Sequence, residues 1–344
     1  MEKWRGNKKG TAAIMPKTGN KDVFWNILAN AKAVLLTTHV SPDGDGIASE
    51  LALYSILTSL GKQVYILNQD RTPEMCSWLP YSHKINTFEE HKSPHIPDVD
   101  VCLLVDCSSR SRIGEVFALI EHCPRVISLD HHQLTECFRD YCYVDPDASS
   151  IGEILFEVVP EIEQHLNRDI AECLYVSILT DTGSFAFSNT TSKVFRIASR
   201  LVECGVKPDH VFKMVYMNKR TSHFRLLARA LETMHLDESS RVVYVMLPMS
   251  AYKDAGAVKE DDEGIIDVLR GLKNVELIIL IKQLESQKVK VSLRSTNSIN
   301  CNYLAKMWGG GGHLKASGFE VAGDIETVGK PVVRKILDEI KKNE

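Results

Sequence analysis

Residues 33–46 read AVLLTTHVSPDGDG. Six apolar or threonine residues, with no charge among them, run directly into a histidine and two aspartates. An uncharged run of this length is typical of a strand that is buried on both faces. Pro42 stiffens the segment that follows, and Gly44 and Gly46 leave its backbone free to turn side chains inward. The segment therefore predicts a buried strand that delivers ligand-type side chains to a loop.

The alternation of strand and helix continues on both sides of this segment. The predicted helices are 23–32, 47–60, 150–166 and a long stretch at 209–235, and the predicted strands of the first half are 63–67, 99–105 and 125–129. Strands that alternate with helices form parallel sheets. We therefore predict an α/β fold, with a parallel-sheet N-terminal domain flanked by helices and a smaller α/β C-terminal domain.

Four polar clusters stand just beyond predicted strands or helices. They are His39 with Asp43 and Asp45, then Asp106, then Asp130-His131-His132, and finally Asp181. The first three follow strands, and the carboxyl ends of parallel strands meet at the edge where open α/β sheets bind ligands. A single aspartate at a strand end is usually a turn or cap residue. Four clusters in this order instead predict one shared site.

The clustered carboxylates and imidazoles suit Mg²⁺, Mn²⁺, Co²⁺ or Zn²⁺, whereas the absence of thiolates disfavours a structural zinc site. Five aspartates on one edge would repel each other, and two divalent cations would neutralise most of that charge. Asp43 and Asp45 are placed to serve two neighbouring ions, with Asp106 as the bridge between them. His131 and Asp181 can complete the second ion.

A pair of divalent cations activates water and stabilises both oxygens of a phosphoryl displacement, so the clusters predict a two-metal hydrolase. Asp130 is then interpreted as the partner that orients an imidazole. His132 is left to contact the phosphate or to protonate the leaving oxygen. We assign Asp130 and His132 catalytic roles on this basis.

The second half of the chain changes character. Residues 242–247, 275–282 and 288–293 are predicted strands, and residues 328–342 are a predicted closing helix. A run of glycines lets the backbone approach a ligand and present N–H groups to an anion, and arginine suits bidentate phosphate binding. We predict that substrate is held by Arg294, Ser295, Gly310, Gly311, Gly312 and His313.

A length of 344 residues suits two domains. We divide the chain into a disordered tail at 1–21, a catalytic domain at 22–205, a helical connector at 206–236 and a substrate-binding domain at 237–344. The net charge of −4 argues against a protein that coats long nucleic acid, but permits a small anionic substrate.

No membrane partner is predicted, because no apolar run approaches the ~18–20 residues of a membrane span. No secretory signal is predicted either, because the first 21 residues lack an apolar h-region. The nine cysteines include no Cys-x-x-Cys pair. We interpret them as buried reduced thiols of a cytoplasmic protein. The oligomeric state stays open, and a homodimer is compatible with the sequence.

The chain resembles the DHH phosphoesterase family, whose defining Asp-His-His motif is present here as Asp130-His131-His132. The resemblance runs from about residue 22 to the C-terminus. Its motifs here are THVSPDGDGIAS, LLVDCSSRSRIG, SILTDTGSFAFSNTTS, VSLRS and GGGGHLKASGF. The second half resembles the DHH-associated domain, and the arrangement is most similar to the nanoRNase/pAp phosphatase subgroup.

The resemblance implies Mn²⁺-dependent hydrolysis of very short RNA and removal of the 3′-phosphate from adenosine 3′,5′-bisphosphate. Mg²⁺ or Co²⁺ are alternatives for the two divalent ions. It also implies a ligand set: His39, Asp43 and Asp106 for the first ion, and Asp45, Asp106, His131 and Asp181 for the second. His132 would then face the scissile phosphate, with Arg294, the glycine turn and His313 at the other end of the nucleotide.

Other functions remain open from the sequence. A RecJ-like single-strand exonuclease shares the metal clusters but would be expected to be longer. A family II inorganic pyrophosphatase shares the first half but should lack the glycine-histidine turn. A phosphodiesterase for linear dinucleotides would use the same site. A non-catalytic nucleotide-binding protein would have no need for the complete ligand set.

Overall fold

A computed structural model describes residues 18–88, 98–107, 109–132, 139–239, 241–312 and 314–343 of the chain. It divides into two compact units, of which the N-terminal unit ends at Asn218 and the C-terminal unit begins at Lys219. This boundary falls inside the segment 206–236 that the sequence assigns to a connector. In the predicted tail, Thr18 pairs with Val144, and residues 1–17 lie outside the described residues.

The described part of the N-terminal unit contains six strands and eight α-helices. The strands are β1 (Ala33–Thr37), β2 (Gln63–Asn68), β3 (Ile85–Thr87), β4 (Val101–Val105), β5 (Val126–Asp130) and β6 (Tyr141–Val144). The helices are α1 (Lys21–Asn30), α2 (Gly44–Ser59), α3 (Val116–Ile120), α4 (Ile151–Val158), α5 (Ile162–His165), α6 (Arg168–Asp181), α7 (Ser192–Glu203) and α8 (Pro208–Tyr216).

The six strands form one parallel sheet in the order β3-β2-β1-β4-β5-β6. Every residue of β1, β4 and β5 is buried. Alternate residues face opposite sides: Leu36 and Leu103 join the core beneath α2 and α6, whereas Leu35 and Leu104 pack with α3. The predicted α/β fold, with a parallel sheet covered on both faces, is confirmed.

The order of the strands reverses beside β1. The chain runs outward from β1 to β2 and β3, and then returns to place β4 on the other side of β1. The connections on the two sides of this point leave in opposite directions, so a crevice opens at the carboxyl ends of β1 and β4. The loops that carry His39 and Asp106 both begin there.

The described part of the C-terminal unit contains six strands and five α-helices. The strands are β7 (His235–Leu236), β8 (Val242–Leu247), β9 (Leu277–Glu285), β10 (Lys288–Ser295), β11 (Gly311–Gly312) and β12 (Ala316–Ala322). The helices are α9 (Thr221–Glu232), α10 (Met249–Ala255), α11 (Ile265–Val268), α12 (Cys301–Lys306) and α13 (Ile325–Asn343).

These strands form a mixed sheet in the order β11-β12-β10-β9-β8-β7. Only the β8–β9 pair among the described strands of this sheet is parallel. Residues such as Ile279 and Val291 pack with α12 and α13 on one face, whereas Val245 and Ile278 pack with α9, α10 and α11 on the other. The C-terminal unit is therefore a second α/β layer structure with its own core.

Two predicted helices are each divided in the structure. The predicted helix at 150–166 breaks after α4 because Val159 precedes Pro160 and takes an extended conformation, with ψ 114°. The predicted helical stretch at 209–235 is α8 followed by α9. The apolar face of α8 packs into the N-terminal core, whereas Leu226 of α9 packs into the C-terminal core.

Seven of the cysteines are free thiols, and most of these are buried. Cys142 is disulfide-bonded, so the prediction of a wholly reduced set is wrong at that position. No helix of the described chain is long and apolar enough to cross a membrane.

Leu103→Ala tests the central sheet. Leu103 is completely buried in β4, so truncation removes apolar contacts and leaves a cavity that costs about 2–5 kcal/mol of the free energy of unfolding. Urea unfolding followed by tryptophan fluorescence reports on this unit, since Trp25 and Trp78 pack against its core. Val23→Ala, at a position that is 45% exposed on α1, is the control and should shift the transition little. Equal shifts for the two variants would contradict the assignment of the core.

Candidate metal centre

His39 lies two residues beyond the end of β1, in the loop that leads to α2. Its Nδ1 lies 2.9 Å from the carbonyl oxygen of Val40, so Nδ1 carries the proton and Nε2 is left to bind a cation. That Nε2 is 3.7 Å from Asp43 Oδ2 and 3.3 Å from Asp106 Oδ2. Asp43 is also the N-cap of α2, because its Oδ1 accepts hydrogen bonds from the N–H groups of Asp45 and Gly46.

Asp106 occupies the centre of the site. It follows β4 with a left-handed φ of 56°, a strained conformation for a residue with a side chain. The Asp106 N–H donates to the carbonyl oxygen of Leu129, which holds the turn against β5. Asp106 Oδ2 faces His39, and Oδ1 lies 3.4 Å from His131 Nε2 and 3.3 Å from His132 Nδ1. Its two oxygens therefore face two different groups of side chains.

Asp45, His131 and Asp181 form a second group beside Asp106. His131 Nε2 lies 3.6 Å from Asp45 Oδ2 and 3.0 Å from Asp181 Oδ2. Asp45 is completely buried. Its carboxylate accepts hydrogen bonds from the Ser177 hydroxyl and from the Ile151 N–H.

The two glycines of the first loop are required by close packing. A Cβ at Gly44 would lie 2.5 Å from Thr180 Cγ2 on α6, and a Cβ at Gly46 would lie 2.5 Å from Thr38 Oγ1. The sequence suggested that these glycines free the backbone to aim side chains. Neither has a positive φ among the described residues, so their role is to let the start of α2 approach α6 and the end of β1.

Asp130 and His132 are joined by two hydrogen bonds. Asp130 Oδ1 accepts from His132 Nδ1 at 2.7 Å and from the His132 N–H at 2.9 Å. Arg112 Nη1 lies 3.3 Å from His132 Nε2. The carboxylate fixes the imidazole ring, and its Nε2 edge is turned toward the guanidinium.

Burial and neighbouring opposite charges have opposing effects on the pKa values of His39 and Asp106. Burial lowers the pKa of His39, but the neighbouring carboxylates of Asp106 and Asp43 outweigh it and raise the pKa to about 10. Burial would raise the pKa of Asp106, but the charge of His132 and the neighbouring imidazoles of His131 and His39 hold it well below its usual range. Burial and the charges of Asp181 and Asp106 raise the pKa of Asp45. Without a cation, protonated imidazoles would therefore offset the repulsion between the clustered carboxylates.

The arrangement fits divalent cations. The ligand atoms fall into overlapping groups that each lie within 4.8 Å, including His39 with Asp43 and Asp106, and Asp45 with His131 and Asp181. His39 Nε2 and Asp106 Oδ1 are buried and make no hydrogen bond with any described residue. Buried polar atoms of this kind cost free energy unless a ligand satisfies them. Cations would replace the protons on the imidazoles and supply the missing partners.

The predicted substrate-binding residues lie in the C-terminal unit. Arg294 and Ser295 end β10, and Gly311 and Gly312 form β11. Gly310 is held close to β12, because a Cβ there would lie 2.2 Å from the carbonyl oxygen of Gly318. Tight packing against β12 is therefore a structural reason for glycine at position 310, separate from any role in binding a ligand. His313 lies outside the described residues.

Ser177 and Glu50 support the site, but neither was identified from the sequence. Ser177 looks like an ordinary small residue inside a helix, yet its hydroxyl anchors Asp45. Glu50 is completely buried on α2, and its Oε2 accepts a hydrogen bond from Asn68, which in turn accepts the N–H of Thr38, next to His39. The only signal for Glu50 was a charged residue within an apolar helix.

Two family models match the chain. The model described as "DHH family, N-terminal domain" matches residues 33–178, and the "DHHA1 domain" matches residues 240–343. Together they span most of both units.

Several characterised relatives and solved structures are similar over most of the chain. The bifunctional oligoribonuclease and PAP phosphatase NrnA of Thermus thermophilus is 30% identical, covering 89% of this chain and 90% of the relative. The protein of the same name from Bacillus subtilis is 25% identical, and the match covers 84% of this chain and 89% of the relative. The crystal structure of an exopolyphosphatase-related protein from Bacteroides fragilis superposes with a TM-score of 0.85 at 29% identity, covering 94% and 95%.

RecJ of Thermus thermophilus is less similar to this chain in both sequence and structure. Its structure with Mn²⁺ gives a TM-score of 0.54 at 16% identity, and the match covers 96% of this chain but 56% of RecJ. This similarity shows a common fold.

Ser177→Ala tests the support of the metal ligands. Loss of the hydroxyl leaves Asp45 less well oriented, and loss of such a partner weakens metal binding about 10–100-fold. Isothermal titration with Mn²⁺ and with Mg²⁺ measures the change. Ser59→Ala is the control, since that hydroxyl donates to the Ile56 carbonyl oxygen at the far end of α2. Unchanged affinity in Ser177→Ala would show that Asp45 needs no such anchor.

Glu50→Gln tests the buried carboxyl. Burial raises the pKa of Glu50 to about 8, against the opposing effect of the Asn68 hydrogen bond. As pH rises from 5 to 8, Glu50 ionises in the unfolded chain before it ionises in the folded chain. This difference progressively favours unfolding. We expect the urea midpoint of Glu50→Gln to rise relative to the wild type between pH 5 and pH 8. A difference that is constant with pH would refute the assignment.

Proposed function

The chain belongs to the DHH family, with a DHHA1 domain in its second half, and we propose that it hydrolyses very short RNA to mononucleotides and adenosine 3′,5′-bisphosphate to AMP. Relatives that match this chain over most of both lengths carry the name bifunctional oligoribonuclease and PAP phosphatase. The observation that carries the proposal is the central position of Asp106, whose oxygens face two groups of ligand-type side chains.

These contacts support a ligand assignment for two ions. His39, Asp43 and Asp106 would hold one divalent cation, and Asp45, Asp106, His131 and Asp181 would hold the other. When bound, such a pair activates water and neutralises charge on the phosphoryl group. We propose Mn²⁺ as the ion, with Mg²⁺ or Co²⁺ as substitutes, because the ligand set combines carboxylates with imidazoles and lacks thiolates.

His132 is proposed to act on the phosphate itself. Its Nδ1 is held by Asp130, so Nε2 would be the atom that contacts a non-bridging oxygen or gives a proton to the leaving oxygen. Arg112, beside that Nε2, adds a cation for the developing negative charge. Asp130 holds the ring in one orientation throughout.

The C-terminal unit is proposed to bind the nucleotide. Arg294 offers paired donors to a phosphate, and Ser295, Gly310, Gly311, Gly312 and His313 complete the predicted set. We further propose that the enzyme acts in the cytoplasm and releases mononucleotides as an exonuclease.

The first experiment measures the effect of RNA length. A 5′-labelled series from two to about twenty-four nucleotides is incubated with Mn²⁺, in parallel with adenosine 3′,5′-bisphosphate. We expect kcat/KM to be highest for the shortest RNAs and to fall with length, and the bisphosphate to be hydrolysed. Degradation of the long RNA without a length penalty would support a RecJ-like exonuclease. Cleavage of neither substrate would contradict the proposal.

Asp106→Asn is the matched active-site variant. Removing the shared carboxylate withdraws several kcal/mol of charge stabilisation, so turnover of both substrates should fall by about 10³-fold or more. Asp209→Asn, at an exposed position in the first turn of α8, is the control and should keep wild-type rates. Full activity of Asp106→Asn in excess Mn²⁺ would exclude the two-metal assignment.

A further inference from the structure

Strand β10 separates an apolar face from a cationic one. It reads KVKVSLRS, and its burial alternates residue by residue. Val289, Val291 and Leu293 enter the core with α12 and α13. Because successive side chains of a strand point to opposite faces, Lys290, Ser292 and Arg294 lie in a line on the other face. We refer to these three residues as the β10 row.

Lys290 is the unusual member of the β10 row. It stands directly opposite Lys282 on β9 and opposite Glu320 on β12. Lys282 carries a like charge, and the Glu320 carboxylate forms its ion pair with another lysine. Lys282 pairs with Asp262, whose other oxygen accepts the Tyr252 hydroxyl at 2.6 Å. Glu320 Oε2 lies 3.2 Å from Lys288 Nζ instead. Lys290 forms no ion pair with any residue in the described part of the chain.

This placement is unfavourable for the fold. Like charges directly opposite each other on neighbouring strands are destabilising. Burial lowers the pKa of Lys290, and the charges of Lys282 and Lys259 lower it further, against the smaller opposing effects of Asp262 and Glu320. A partly buried lysine that forms no ion pair is better explained by a ligand than by stability.

We propose that the β10 row is a binding site for the phosphates of an oligonucleotide, in which an anionic oxygen serves as the counter-ion of Lys290. The inference rests on the proposed function and extends it to the backbone of the substrate beyond its terminal phosphate. Arginine, a hydroxyl and a lysine together offer several donors to phosphate oxygens. Gly318 stands opposite Ser292 on β12, so no side chain covers the middle of the row from that strand.

The spacing of the β10 row suits a single strand. Residues two apart on a strand are separated by about 6.8 Å, and an unstacked strand can extend well beyond the ~3.4 Å per phosphate of a stacked helix. Lys290 and Arg294 stand two such steps apart. A phosphate bound at Arg294 would therefore leave Lys290 to a phosphate farther along the chain. A mononucleotide held at Arg294 would not reach Lys290.

The test compares two lysines of the same strand. Binding of a 5′-phosphorylated, 3′-fluorescein-labelled triuridylate is followed by anisotropy in EDTA, over a range of salt concentrations. We expect Lys290→Gln to raise Kd about tenfold and to reduce the slope of log Kd against log salt by about 0.7. Lys288→Gln is the control, since Lys288 is 43% exposed and paired with Glu320. It should change neither quantity.

Thermal unfolding separates a binding role from a structural one. Removal of an unpaired, partly buried charge should leave Tm unchanged or raise it, whereas a structural lysine would lower Tm when replaced. A lower Tm for Lys290→Gln, an unchanged Kd, an equal effect of Lys288→Gln, or no binding of the probe by the wild type would each overturn the proposal. Because the measurement needs no turnover, failure of the hydrolysis proposal would be seen separately, in the length series.

Discussion

The carboxylate of Asp106 joins the two groups of side chains that form the candidate metal centre. One of its oxygens faces His39, from the loop after β1, and the other faces His131 and His132, from the loop after β5. These loops meet only because β4 lies between β1 and β5 in the sheet. The strained backbone at Asp106 is the cost of turning this side chain into the crevice at the strand ends.

The position of the candidate metal centre could be predicted from the sequence, because it follows from strand ends. Uncharged runs that stop at His39, Asp106 and Asp130 mark the carboxyl ends of parallel strands, and the geometry of parallel sheets brings such ends together. The family resemblance then implied ligand roles for His39, Asp43, Asp45, Asp106, His131 and Asp181. The α/β fold followed from the alternation of strands and helices, without any knowledge of side-chain contacts.

What the sequence could not predict depends on partners distant in the chain. Ser177 is recognisable only once α6 packs beside α2 and its hydroxyl meets Asp45. The cross-strand pair of Lys290 and Lys282 exists only in the observed register, and a shift of one residue would place them on opposite faces. The break after α4 had a local signal in Pro160, which the prediction of one helix at 150–166 did not take into account.

The contact between Gly44 and Thr180 has an evolutionary consequence. Gly44 precedes Asp45, and Thr180 precedes Asp181, so this close approach of α2 to α6 lies beside two residues of one candidate ligand group. A larger side chain at position 44 could be accommodated only by a smaller one at position 180, or by helices farther apart and ligands out of reach. Positions 44 and 180 are therefore expected to covary among related chains, although neither residue binds a metal ion or a nucleotide.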